Sequence, residues 1–141
     1  MAMATARVEK HHVICAFDDT FSVLPITEKT ALPDVMRIIS NRPHGRTDSA
    51  LPMVEALRRG WNAIEGFAIY TDNETWFGSI HPKQALQQYR DQTGVDARLV
   101  SVSMLANDTS IADGSVPWML DFVGMSTDTP RQVSMYLKCE I

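Results

Sequence analysis

The chain has 141 residues, 45% hydrophobic and 21% charged, which is the balance of one globular domain and not of a disordered segment. No apolar run approaches the ~20 residues that cross a bilayer, and the opening MAMATARVEK lacks the basic-then-apolar layout of a secretory signal. A formal net charge of −4 sets the chain apart from proteins that gather Lys and Arg against phosphates, so nucleic acid is not an expected partner.

In chain order, residues 2–10 are rich in Ala and Met and read as the end of a helix. Residues 12–17 form an apolar run bounded by Asp18-Asp19, a buried strand, and residues up to about 26 return as the second arm of a hairpin. Pro25 marks that arm as an edge. Thr30 is the expected cap of a helix over 31–40, where Leu32, Val35, Met36 and Ile39 recur at helical spacing. A loop with Pro43 and Gly45 follows, then a helix from Leu51 to Arg58 that stops at Gly60. GFAIY at 66–70 is a buried strand, Pro82 opens a helix that runs to Gly94, and LVSVSM at 99–104 is another strand. Residues 105–117 are mostly loop, 119–123 the last strand, and a terminal helix begins near Pro130. Cys15 and Cys139, in no metal-ligand spacing, are expected as buried thiols of a reducing compartment, and the localisation expected is cytoplasmic. Alternation of strand and helix predicts a doubly wound, mostly parallel α/β sheet of about five strands with one antiparallel edge strand.

Ligands of such sheets bind beyond the carboxyl ends of the strands. The segments predicted there carry Thr47, Asp48, Ser49, Asp72, Asn73 and Glu74, whose oxygens would suit a hard cation such as Mg²⁺. The same residue types also cap helices and close turns, and both readings stand on spacing alone. No Ser-His-Asp, Cys-His or paired-carboxylate arrangement and no glycine-rich phosphate loop is present.

The stretches AFDDTF at 16–21, GRTDSALPM at 45–53, YTDNETWFGSIHP at 70–82, ALQQYRDQTGVDARLVSVSM at 85–104, SIAD at 110–113 and MLDFVGMST at 119–127 carry a resemblance. They are similar to the C-terminal von Willebrand factor A-type domain of the Ro autoantigen family, the TROVE-domain ribonucleoproteins. The resemblance covers essentially the whole of 1–141 and implies a metal-ion-dependent adhesion site. That site uses a DxSxS motif after the first strand, a Thr from a second loop and an Asp from a third. Thr47 is similar to the second-loop Thr and Asp72 to the third-loop Asp, with Ser49 and Asp48 beside them. DxSxS has no counterpart, which implies a domain lacking the central first strand, with a vestigial site that holds no cofactor or only weakly bound Mg²⁺ or Mn²⁺. The family's RNA-binding part is a separate helical-repeat ring.

The function expected from this reading is a non-enzymatic protein-interaction module with an unknown protein partner. A natural variant, a split-gene product or a bacteriophage or prophage remnant would each look like this, and the source expected is phage or bacterial. The alternatives are a subunit completed in trans by a chain supplying the first strand and DxSxS, and a small α/β enzyme. The strands at 12–17 and 66–70 are expected to close up and pair directly, with a homodimer covering the apolar surface this exposes.

Overall fold

A computed structural model describes residues 1–42, 46–71, 78–104, 111–124 and 126–141. Ten elements follow one another: α1 (Ala2–Val8), β1 (Cys15–Phe17), β2 (Phe21–Val23), α2 (Leu32–Ser40), α3 (Leu51–Arg58), β3 (Gly66–Thr71), α4 (Pro82–Thr93), β4 (Arg98–Ser103), β5 (Met119–Val123) and α5 (Thr129–Leu137). The α/β class and the alternation read from the sequence hold.

The hairpin turns where Asp18 folds its own chain back. Its carboxylate accepts the N–H of Thr20 at 2.7 Å and the Thr20 hydroxyl at 2.8 Å, a side-chain mimic of a backbone turn. Cys15 then faces Val23, and Phe17 faces Phe21. Helix α4 has the clearest local signals. His81 accepts the Lys83 N–H while Gln84 reaches back to the His81 N–H, Pro82 sits in the first turn, and Gly94 ends the helix at φ 72°. Thr30, by contrast, does not cap α2: its hydroxyl accepts the Thr27 N–H at 2.9 Å, and Ala31 holds the cap position without a side-chain bond.

Strands β3, β4 and β5 pair in parallel in that order, with Phe67, Leu99 and Met119 in one row and Ala68, Val100 and Leu120 in the next. Side chains of alternate rows face opposite sides. Phe67, Ile69, Leu99 and Met119 join Met53 and Ala56 of α3 and Leu86 and Tyr89 of α4 in the main core. On the reverse face Val100 and Val102 pack with Val133 and Tyr136 of α5. Helices thus cover both faces, as parallel sheets require. Helix α1 lies against α5, where Glu9 takes the Ser134 hydroxyl and, at 3.1 Å, the Lys138 ammonium, and it reaches β3 where Thr5 and Tyr70 share a hydroxyl hydrogen bond.

The predicted pairing of 12–17 with 66–70 does not occur. β1 and β2 form a two-stranded antiparallel sheet of their own, and among the described residues β3 pairs with β4 alone. The physical reason lies in how the hairpin is held. Helix α3 packs on β1 and β2 as well as on α4, and the Asp48 N–H donates to the Asp18 carbonyl at 2.8 Å. Val35, Leu24 and Ile26 form a separate small core under α2, joined by Met3 of α1. Closing the sheet would break these contacts to gain a few ladder bonds, each worth about 1 kcal/mol net. Cys139 also departs from expectation: it lies beyond α5, exposed, at φ 60°. Cys15 is half-buried, and burial pushes its thiol pKa up.

Candidate functional site

The segment Thr47-Asp48-Ser49 precedes α3 and is anchored at both ends. Its N-terminal side hangs on the Asp18 carbonyl, and the Asp48 carboxylate accepts the Ala50 N–H at 3.1 Å, turning the chain into the helix. The link places the hairpin turn against this segment, a contact that Asp18-Asp19-Thr20 signals in sequence only as a turn after the first strand. Burial raises the Asp48 pKa, and the Ala50 N–H partly opposes that rise. The Asp18 carboxyl moves the other way, held low by the Thr20 N–H and then by its hydroxyl.

Gly78 contributes what the sequence reading missed. At φ 136° it brings backbone so near Asp48 that an added Cβ would lie 2.7 Å from the carboxylate carbon and from both oxygens. The end of the loop after β3 is therefore pressed onto the second loop, and only glycine allows the approach. The glycine in TWFGS was the available signal.

Thr47 is half-buried, and Ser49 is fully buried with its Oγ lacking a hydrogen-bond partner. A buried hydroxyl in that state costs about 1–3 kcal/mol unless water or a bound group meets it. The structure thus brings Thr47, Asp48 and Ser49 together beside Gly78. Asp72, Asn73 and Glu74 lie outside the described residues. One carboxylate and two hydroxyls, all oxygen, suit a hard divalent cation in kind. They are too few to displace its water shell by themselves. No group of three or more His, Cys, Asp or Glu gathers around a common point among the described residues.

A second concavity runs along α4, where Lys83 pairs with Asp113 at 2.7 Å and the Arg90 guanidinium covers the Trp118 ring at 4.4 Å. Its charges are spent on one another.

The sequence profile of the Ro60 vWA domain matches residues 1–137. The chain belongs to the Ro60 vWA domain family. Two members described as RNA-binding protein RO60 are similar to it. That of Caenorhabditis elegans is 39% identical over 127 residues, and that of Deinococcus radiodurans is 33% identical over 141. The first alignment covers 89% of this chain and 20% of the relative, the second 100% and 26%. The crystal structure of the Deinococcus radiodurans RO (RSR) protein superposes with a TM-score of 0.86 at 33% identity, over 99% of this chain and 28% of that one. The chain therefore spans a fifth to somewhat over a quarter of these Ro60 proteins.

The relatives' names overturn the expectation that nucleic acid is not a partner. The net charge of −4 is read over 141 residues, a fifth to about a quarter of those relatives' length, and does not report on the charge of the rest of them. Among the described residues no helix is long and apolar enough to cross a membrane.

Proposed function

We propose that this Ro60 vWA domain is a non-enzymatic interaction module of an RNA-binding assembly, and that it works by taking an extended strand along the outer edge of β3. The observation that carries this reading is that among the described residues β3 pairs with β4 alone, while the β1–β2 hairpin forms its own sheet. Strand β3 is apolar and covered on both faces, by the α3–α4 core on one and the α5 core on the other. The outward N–H and C=O groups of Gly66–Tyr70 along such an edge are a ready acceptor for strand addition, with main-chain bonds giving affinity and flanking pockets giving side-chain choice. The strand this edge would accept is apolar on both faces, because both helical layers continue past β3 to the hairpin. RNA enters as the partner class in the relatives' names, extended here to the assembly in which this chain serves.

In the same reading, Thr47 and Asp72, helped by Asp48 and Ser49, bind Mg²⁺ or Mn²⁺ weakly, with water completing the shell. The orphan Ser49 hydroxyl supports this. The thiols, unpaired in the structure, are consistent with a reducing, cytoplasmic setting.

Co-expression with the Deinococcus radiodurans relative from which the matching segment has been deleted tests the proposal. The expected result is a complex that co-purifies and in which the amides of Gly66–Tyr70 become protected from exchange. A folded chain that forms no complex, or one whose β3 amides are unchanged in it, would overturn the reading.

A further inference from the structure

Ser101 stands in the middle of the main core, fully buried, between Leu99 and Ser103 on the face that α3 and α4 cover. Its hydroxyl has no hydrogen-bond partner. Its neighbour across the β4–β5 ladder is Asp121, in direct register. Residues in register on adjacent parallel strands stand about 4.8 Å apart with side chains on one face. The Ser101 hydroxyl and the Asp121 carboxylate are therefore neighbours, yet they are farther apart than a hydrogen bond. A donor and a carboxylate acceptor facing each other across more than that distance, inside a sheet core, fit one water molecule between them. A buried water typically makes about three hydrogen bonds, and this pair supplies a donor and an acceptor for two of them.

We propose that Ser101 and Asp121 hold a buried water between β4 and β5, a second polar site within the core distinct from the rim at Thr47–Ser49. In it the Ser101 O–H donates to the water, which in turn donates to the Asp121 carboxylate. This ties the last strand to the sheet at the register where both strands carry a polar residue.

A high-resolution crystal structure of the full chain, with the melting temperature of Ser101→Ala, tests it. The expected density peak lies at about 2.6–3.2 Å from both the Ser101 Oγ and an Asp121 oxygen, and Ser101→Ala lowers Tm by about 2–4 °C. A direct Ser101–Asp121 bond, or another side chain in that place, would overturn the proposal. So would a variant as stable as the parent, because removing a hydroxyl that binds nothing is neutral or stabilising. If the variant does not fold, the density in the parent decides.

Discussion

Tyr89 is fully buried in α4, and its hydroxyl works in two directions: it donates to the Trp61 carbonyl at 2.5 Å and accepts the Ile64 N–H at 3.0 Å. It thereby fixes the turn that delivers the chain from α3 into β3. Tyr89→Phe keeps the ring, which meets Phe67 edge-on at 5.2 Å, but strands both backbone groups. We expect a loss of about 1–3 kcal/mol by urea denaturation, with the fold retained. Asp113 gives a pH-dependent case. The Lys83 ammonium, followed by the Ser115 hydroxyl and N–H, holds its carboxyl well below the usual carboxylate range. A carboxyl whose folded pKa is depressed adds stability above its unfolded pKa, near 3.8, and loses it as pH falls through the folded value. Asp113→Asn should therefore lower Tm slightly at neutral pH, with the gap to the parent narrowing below about pH 4. A constant gap across that range would mean that the charge is not what matters there.

Among the elements, β3 carries most of the functional argument and its close packing is testable. An added Cβ at Gly66 would meet the Leu137 side chain of α5 at 2.9 Å, so Gly66→Val forces that side chain to shift and loosens the packing of the last helix on the sheet. The expected cost is about 1–3 kcal/mol, with weakened contact at the Arg98 guanidinium, which donates to the Tyr136 carbonyl and lies over the Tyr136 ring. Thermal melts with near-ultraviolet circular dichroism would report both. Every one of these elements was legible in the sequence, because period, caps and breakers act locally: GFAIY and LVSVSM read as buried strands, and Pro82 with Gly94 bracketed α4. What was not legible was which strands touch. Whether β1 meets β3 is decided by α3 wedged beneath the hairpin and by one backbone bond, Asp48 to Asp18, neither of which leaves a mark in residue type. The site divides in the same way. Thr47, Asp48 and Ser49 are candidates that the sequence offers by motif and position, whereas the approach of Gly78 depends on a backbone path that only the fold defines.

At the scale of the whole molecule, charge misled because it was read over 141 residues, a fifth to a quarter of the RNA-binding relatives. Manganese offers one check at this scale: paramagnetic broadening of amide signals should centre on Thr47–Ser49 at millimolar Mn²⁺ and disappear in Thr47→Ala/Ser49→Ala. Broadening that persists in the double variant would remove those hydroxyls from the site. The proposed strand acceptor is the outer edge of β3, and native-state amide exchange of the chain alone addresses it most directly. In a parallel ladder the N–H groups of an edge strand point alternately to its neighbour and away from it. The N–H groups of β4, flanked on both sides, should all exchange slowly, while from Gly66 to Tyr70 slow and fast amides should alternate. Uniformly slow exchange along β3, matching β4, would show the edge already covered and contradict the proposal.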